Sequence, residues 1–366
     1  MANLQFSGLM RHRLRSFFKL NGIALRVYGR HIFGRKIADD WNANTEIGIR
    51  FWRHQFTVAM NHPNIKVGRA IYNSLQALPD DVYDVSTQVQ DDPKGCWYLP
   101  KTIKVKVTLL YCHGGGYAFN GPVSEQFAKM LAHHTGARVF MPTYRLTPEH
   151  PHPAQAEDAL VAWQFLRKDI PAKGLVVIGD SAGGHMALTL LKRLQDRNET
   201  QPALCIGLCP WTDIGERGAS MQANDRYDLV QGWMALRFGE WLDPDGRYGR
   251  EALSPINWDF SELAPVYLQV GGREILRDMI VDFAQVQSKN GASVMLDLWG
   301  DMMHNFQAGD RLHASSTQAL QRIQSAVEAA DAGSAQLPSL PKITQVSSGA
   351  FSNHHAQHAD QSETTC

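Results

Sequence analysis

From about residue 82 onward, short apolar runs alternate with segments whose apolar positions recur every three or four residues. Apolar runs bounded by turn residues predict buried strands, whereas the three-to-four spacing predicts helices. The strands predicted in this way are 82–88, 96–99, 105–111, 137–141, 175–178, 203–209, 266–270 and 293–298. The helices predicted between or after them are 124–134, 154–167, 183–193, 276–288 and 314–330. Strands that alternate with helices predict an α/β fold with a mostly parallel central sheet flanked by helices.

Two segments depart from this alternation. Residues 1–75 place aromatic residues between charges at helical spacing, and we expect them to form the N-terminal part of a helical cap. A second segment, about 213–255, is too long for an ordinary connection and is expected to complete the cap as an insertion. The catalytic domain is then predicted to span 76–335. Residues 336–366 are polar, with few large apolar side chains, and predict a disordered tail.

The N-terminal segment carries an unusual charge pattern. Residues 1–36 contain eight Lys or Arg residues and no acidic residue, and Leu14 and Phe18 lie on a different helical face from Arg11 and Arg15. A basic amphipathic helix of this kind could pack over the mouth of an active site. It could also give the protein a peripheral membrane contact, or act as an organelle-targeting segment. The three interpretations stay open at this point.

Overall composition narrows the class of protein. The charges of the 36 basic and 36 acidic residues cancel, so the chain has no net positive charge that would attract nucleic acid. The sequence has no apolar run approaching the roughly 20 residues that span a bilayer. The five cysteines are odd in number and scattered, which favours free thiols in a reducing compartment and predicts a cytoplasmic location.

Ser181 lies in the most informative stretch of the sequence. It directly follows the predicted strand 175–178 and stands between Gly179 and Gly183, two residues away on either side. A nucleophilic serine needs a sharp turn from strand to helix, where its close neighbours lack side chains. The pattern therefore predicts a nucleophile elbow.

A glycine run upstream supplies the complementary feature. Gly114, Gly115 and Gly116 follow His113 and the predicted strand 105–111. Consecutive backbone amides without side chains can donate hydrogen bonds to an oxyanion. All three glycines are candidates for an oxyanion hole.

The serine also requires a base and an acid. In this sheet topology, the acid is expected after the next-to-last strand and the histidine after the last one. The loop after 266–270 contains Glu274 and Asp278, and the loop after 293–298 contains His304. We identify His304 as the base that accepts the proton of Ser181.

Five ordered motifs carry a family resemblance. They are His113–Gly116, Tyr144–Ala154, the elbow Gly179–Gly183, Pro210–Asp213 and Met303–Phe306. Together they cover residues 85–330, and with them the chain resembles the hormone-sensitive-lipase-like branch, the bacterial family IV esterases, of the α/β-hydrolases. The resemblance implies an α/β-hydrolase fold and a carboxylic-ester hydrolase that forms an acyl-enzyme on a small-molecule ester. It implies no metal or organic cofactor.

The resemblance also implies roles for individual residues. Gly115, Gly116 and Ala182 correspond to the oxyanion hole, and Glu274 stands where the family usually has its catalytic aspartate. Asp278 is the alternative acid, whose other role is to cap or pair at the start of the next helix. We expect the substrate pocket to involve Tyr117, Phe119 and Trp211, although each of these could equally belong to the core.

Several functional alternatives stay open. The same triad could cleave an amide or a lactone, because the triad does not specify the leaving group. A non-catalytic small-molecule receptor of the same fold is a different class, but such receptors tend to lose the histidine, which is present here as His304. Relatives also pair edge strands into dimers, so a homodimer is a further option.

Overall fold

The computed structural model describes residues 3–78, 83–310, 312–334 and 343–346. In these residues the strands, in chain order, are β1 (Asn3–Phe6), β2 (Leu75–Leu78), β3 (Val85–Asp91), β4 (Lys94–Pro100), β5 (Thr108–Cys112), β6 (Arg138–Pro142), β7 (Leu175–Asp180), β8 (Leu204–Leu208), β9 (Val266–Gly271), β10 (Val294–Trp299) and β11 (Ile343–Val346). The helices are α1 (Met10–Ile32), α2 (Ala43–Met60), α3 (Ile65–Tyr72), α4 (Pro122–Thr135), α5 (Ala154–Arg167), α6 (Ala182–Asp196), α7 (Ser220–Ala223), α8 (Gly232–Leu242), α9 (Arg250–Leu253), α10 (Arg277–Lys289) and α11 (Ala314–Asp331).

A nine-stranded sheet forms the centre of the structure. Its spatial order is β11-β10-β9-β8-β7-β5-β6-β4-β3, and β1 pairs separately with β2. The pairs from β11 to β6 are parallel, whereas β4 is antiparallel to both β6 and β3. The prediction of an α/β fold with a mostly parallel sheet is confirmed.

The central strands are buried on both faces, because alternate side chains point to opposite faces of the sheet and helices cover each face. In β5, Leu110 and Cys112 belong to one apolar cluster, and Leu109 and Tyr111 to the other. Helices α5, α6 and α10 contribute to the first cluster, while α4 and α11 contribute to the second. Central parallel strands therefore appear in the sequence as continuous apolar runs, such as Leu175–Ile178.

The predicted cap segments contain helices. Residues 1–75 provide α1, α2 and α3, and the insertion at about 213–255 provides the short helices α7, α8 and α9. Trp41 of the N-terminal segment donates from Nε1 to the Asp301 carbonyl oxygen at 2.9 Å, in the loop after β10. The N-terminal segment thus reaches the ends of the strands where the candidate histidine lies, while the exact domain boundaries stay a prediction.

Most of the predicted disordered tail, 336–366, lies outside the described residues. The part that is described, Ile343–Val346, pairs in parallel with β10 instead of following that prediction. Cys96, Cys112, Cys205 and Cys209 are free thiols. Within the described ranges, no helix combines the length and apolar character needed to cross a bilayer.

Candidate active site

Ser181 occupies a sharp turn between strand and helix. Strand β7 ends at Asp180 and α6 begins at Ala182, which leaves Ser181 alone at the turn with φ 55° and ψ −121°. A positive φ is unfavourable for a residue with a Cβ, so surrounding contacts must hold the turn. The Ser181 amide donates to the Leu208 carbonyl oxygen at 2.9 Å, and the Trp211 amide donates to the Ser181 carbonyl oxygen at 3.1 Å. These bonds fix the turn at the end of the sheet.

The flanking glycines are required by close backbone approach. A Cβ on Gly179 would overlap the Gly183 carbonyl oxygen, and a Cβ on Gly183 would overlap the Cys112 carbonyl oxygen. The elbow therefore packs its own helix start against β5 with no room for side chains. Ser181 itself is half-buried at the end of the central strand β7.

His304 and Glu274 meet beside this elbow. His304 Nδ1 lies 2.6 Å from Glu274 Oε2, and both side chains are buried. The second carboxylate oxygen, Oε1, accepts from the Gly271 amide at 2.9 Å, which fixes the orientation of the carboxylate. With Nδ1 donating to Glu274, the other ring nitrogen, Nε2, is left as the acceptor.

The charges around His304 favour the protonated form of its ring. Burial by itself lowers the pKa of His304, but the hydrogen bond and charge of Glu274 outweigh burial. The nearby charges of Asp228 and Asp180 act in the same direction, so the pKa of His304 is raised above 6.5. An imidazolium formed at this position is therefore stabilised.

The two candidate acids have different surroundings. Glu274 contacts His304, whereas Asp278 accepts from the Ser220 amide through Oδ2 at 2.9 Å and pairs with Arg277. Asp278 thus connects the insertion to the first turn of α10. Its ion pair with Arg277 matches the pairing role expected for it at the start of this helix. The geometry favours Glu274 as the acid.

The glycine run divides into two parts. The Gly114 amide donates to Asp180 Oδ1 at 2.8 Å, so it is already used and cannot serve an oxyanion. This corrects the prediction that all three glycines are available. Within the described residues, no hydrogen bond uses the amide of Gly115 or Gly116. The amide of Ala182, at the first position of α6, has no partner inside its own helix.

Asp180 connects the loops that carry these groups. Besides Gly114, its Oδ1 accepts from the Tyr111 hydroxyl at 2.7 Å, and its Oδ2 accepts from Asn305 Nδ2 at 2.7 Å. Because Asn305 follows His304, one carboxylate joins the elbow, the glycine loop and the histidine loop. Burial raises the pKa of Asp180, although these hydrogen bonds oppose the shift.

The three pocket candidates are all buried next to the site. Tyr117 follows Gly116, and its hydroxyl lies 2.7 Å from His185 Nδ1, while His185 Nε2 lies 2.7 Å from the Leu253 carbonyl oxygen. Burial lowers the pKa of His185 to about 4, so His185 is neutral and links the glycine loop, α6 and the insertion.

The other two candidates are aromatic walls of the same region. Phe119 packs between the rings of Phe56 and Tyr72 at centroid distances of 5.5 and 5.0 Å, and faces Phe238 at 6.3 Å. Trp211 packs against His185, and its buried indole Nε1 has no hydrogen-bond partner in the structure. Both rings are thus buried in the core next to the site, and the Trp211 amide contacts the elbow directly through the Ser181 carbonyl oxygen.

Two polar residues of the insertion hold the acid loop and were not found from the sequence. Asn224 Nδ2 donates to the carbonyl oxygens of Gly272 and Glu274 at 3.1 and 2.9 Å. Asp228 is fully buried and accepts from the Ile275 amide at 2.7 Å. Burial raises the pKa of Asp228 to about 7. The spacing of residues in the sequence does not predict either contact, because the partners are backbone atoms of a loop that is distant along the chain.

The site also contains a set of potential metal ligands. Ligand atoms of Cys209, Glu274 and His304 all lie within 4.8 Å of one another. Glu274 and His304 already use their facing atoms for each other, and burial together with the charge of Glu274 raises the pKa of the Cys209 thiol well above 9. A protonated thiol is a poor metal ligand, so the arrangement fits a triad better than a metal centre.

Comparisons with known proteins identify the family of this chain. A family model described as alpha/beta hydrolase fold matches residues 109–308. The chain is 35% identical over 207 residues to an acetyl-hydrolase from Streptomyces hygroscopicus, covering 54% of this chain and 67% of the relative. It is 32% identical over 221 residues to an esterase from Acinetobacter venetianus, covering 59% and 72%. The crystal structure of an esterase from the bacterial hormone-sensitive lipase family superposes with a TM-score of 0.65 at 24% identity, covering 86% of this chain and 98% of that one.

Proposed function

This chain belongs to the α/β-hydrolase fold family. From that premise we propose that it is a serine carboxylic-ester hydrolase of the hormone-sensitive-lipase-like branch, with Ser181, His304 and Glu274 as its catalytic triad. The relatives described above are named an acetyl-hydrolase and an esterase, which supports ester hydrolysis as the reaction. The observation that carries the assignment is the buried hydrogen bond of 2.6 Å between His304 Nδ1 and Glu274 Oε2, beside a strained serine elbow.

The first half of the reaction transfers the acyl group to the enzyme. Ser181 Oγ attacks the ester carbonyl carbon while its proton passes to His304 Nε2, and Glu274 stabilises the imidazolium that forms. The described residues contain no hydrogen bond between Ser181 Oγ and His304, and such contacts tighten when substrate binds. His304 then gives the proton to the leaving alcohol, and the C–O bond of the ester breaks to leave an acyl-enzyme.

The oxyanion formed by this attack is held by backbone amides. Gly115, Gly116 and Ala182 are the donors in this proposal, and the absence of other partners for the two glycine amides in the described residues supports it. Removal of one such donor typically costs about 3–4 kcal/mol of transition-state stabilisation. In the second half, water attacks the acyl-enzyme, His304 takes its proton, and the carboxylic acid leaves as Ser181 regains its hydrogen.

We infer that the acyl group is short. His304 and Glu274 are buried, and the ring of Phe238 lies so close to Gly116 that a Cβ on this glycine would overlap it. Phe119 fills the adjoining space with its aromatic neighbours. Aromatic rings this close to the oxyanion amides favour an acetyl or similarly short acyl group, and one relative is named an acetyl-hydrolase.

Active-site labelling tests the triad directly. A fluorophosphonate is added to the full chain, and the labelled peptide is mapped by mass spectrometry. We expect one adduct, on Ser181, and its loss in Ser181→Ala and His304→Ala because the hydroxyl is then absent or not activated. The matched control is Cys209→Ser, which changes a buried neighbour of His304 without removing a triad group. Labelling at another serine, or unchanged labelling in His304→Ala, would refute the triad.

Substrate choice is tested with aryl esters of increasing acyl length and the corresponding aryl amides. We expect kcat/KM to be highest for acetyl or propionyl esters and to fall as the chain grows. Amides should be hydrolysed much more slowly. Faster hydrolysis of the amides would favour the amidase alternative. Tight ligand binding without turnover of any ester would favour a receptor.

A further inference from the structure

Helix α1 has two apolar faces instead of one. It spans Met10–Ile32, a length of about 35 Å, and its inner face packs on α2. Ile23 and Val27 of this inner face form an apolar cluster with Phe51 of α2 and Leu75. A surface helix ordinarily presents polar side chains opposite the packed face. In α1, large apolar side chains are exposed there instead.

Five of these side chains lie along one side of the helix, which we call the outer stripe. It consists of Met10, Leu14, Phe18, Leu25 and Ile32, with exposed fractions of 61, 47, 68, 75 and 79%. At 3.6 residues per turn, their directions lie within about 80° of one another, and the exposed Asn21 lies among them between Phe18 and Leu25. Isolated exposed apolar residues are common, but five that share one side of a helix indicate an interaction surface.

Basic side chains line one border of the outer stripe. Arg11, Arg15, Lys19 and Arg26 point between the outer stripe and the packed face, and we call them the basic border. The first 38 residues of the sequence contain no acid that could neutralise them. In the described part of the chain, the single ion pair from α1 is formed by His31, which is outside the basic border.

The basic border also affects a neighbouring titratable group. His54 of α2 is partly buried, and burial, as the larger effect, followed by the charges of Lys19 and Arg15 lowers its pKa to about 4. Lys19 and Arg15 thus disfavour a further positive charge beside this helix.

We propose that α1 docks the protein on an anionic lipid surface, with the outer stripe inserted at the boundary between headgroups and acyl chains and the basic border against the lipid phosphates. This interaction is independent of the proposed hydrolytic reaction. A second copy of the chain is a poorer partner for the outer stripe, because α1 carries no acid that could pair with the basic border of the other copy. An anionic membrane supplies both the apolar layer and the opposite charge.

Vesicle flotation of the full chain tests this docking. The probes are vesicles of phosphatidylglycerol mixed with phosphatidylcholine, and vesicles of phosphatidylcholine alone. We expect the protein to float with the anionic vesicles, to bind the neutral ones much more weakly, and to lose binding as salt rises. The double variant Phe18→Glu/Leu25→Glu should lower binding at least ~10-fold because it places charge in the apolar layer. The triple variant Arg15→Gln/Lys19→Gln/Arg26→Gln should lower it about 100-fold, at about 1 kcal/mol per basic residue.

A matched control places the same charges on exposed apolar positions elsewhere. Val89 in β3 and Ile103 are 76% and 57% exposed, so Val89→Glu/Ile103→Glu adds two acids without touching α1. We expect this variant to bind anionic vesicles nearly as well as the unmodified chain. Circular dichroism and hydrolysis of a soluble short-chain ester without vesicles check that all variants are folded. Because binding is measured without reference to hydrolysis, failure of the triad leaves the test intact.

Three outcomes would overturn the proposal. The unmodified chain could remain in the soluble fraction with anionic vesicles, or the control variant could lose binding as strongly as the α1 variants. Sedimentation equilibrium could also show a dimer that Phe18→Glu/Leu25→Glu dissociates while vesicles are not bound. In that case the outer stripe would be a contact between copies of this chain.

Discussion

Replacement of Glu274 by glutamine tests the proposed triad at the atom that sets the histidine tautomer. Glu274 Oε1 accepts from the Gly271 amide at 2.9 Å, so the amide oxygen of a glutamine must occupy that position. Its NH2 group then faces His304 Nδ1, which becomes an acceptor and leaves the proton on Nε2. A histidine protonated at Nε2 cannot take the proton of Ser181. The substitution keeps the shape of the side chain and reverses the hydrogen bond.

The expected magnitude has two sources. A carboxylate and an imidazolium with charge centres about 4 Å apart attract by about 4 kcal/mol at an effective dielectric constant of about 20. Since about 1.4 kcal/mol corresponds to a tenfold change in rate, loss of this charge slows the reaction about 1000-fold. The unfavourable tautomer adds to this loss, so kcat for Glu274→Gln should fall by roughly 10³ to 10⁴.

The assay is steady-state hydrolysis of an aryl acetate as a function of pH. The raised pKa of His304 places the acidic limb of kcat/KM above 6.5, because only the neutral imidazole accepts the serine proton. Without the charge of Glu274, burial dominates and the limb should move to lower pH. The control is Asp278→Asn, the corresponding acid-to-amide change four residues later in the first turn of α10, which should alter kcat little. If Glu274→Gln keeps kcat within about tenfold of the unmodified chain, or if Asp278→Asn is the damaging change, the reasoning is refuted.

Two further predictions follow from packing and charge at the site. Gly183→Ala should destabilise the fold by about 1–3 kcal/mol or more and abolish hydrolysis, because the added Cβ overlaps the Cys112 carbonyl oxygen. Gly48→Ala in α2, which meets no atom within 4 Å, should instead be neutral or stabilising, and thermal unfolding separates the two. Asp228→Asn removes a buried carboxylate whose charge raises the pKa of His304, so the acidic limb of kcat/KM should shift to lower pH. An unshifted limb would show that the charge of Asp228 does not affect the pKa of His304.

The central strands were predictable from the sequence because they are buried on both faces. All eight predicted strands and all five predicted helices are confirmed, and the ends differ by a few residues. The strands that were missed are short or polar. Strand β11 carries Thr344 and Gln345, and β1 and β2 have four residues each, so neither gives an apolar run long enough to detect.

The candidate site was predictable where spacing decides the chemistry. The elbow at Ser181 and the loop positions of Glu274 and His304 follow from the order of strands in this fold. The role of Gly114 did not follow, because the sequence cannot show which amide of a glycine run is already bonded. That outcome depends on Asp180, whose carboxylate approaches Gly114 only in the folded chain.

The serine and the acid of the proposed triad are held in place by different parts of the structure. Ser181 is held by the sheet itself, through backbone bonds to Leu208 and Trp211. The acid loop depends on the insertion, since Asp228 binds the Ile275 amide, and Arg53 of α2 in turn binds the Asp228 carbonyl oxygen at 3.1 Å. Because α1 packs on α2, a continuous set of contacts connects the proposed lipid-facing helix to the loop that holds Glu274. The contacts that hold the group orienting the histidine thus run through the cap, whereas those that hold the nucleophile run to β8 and the loop that follows it.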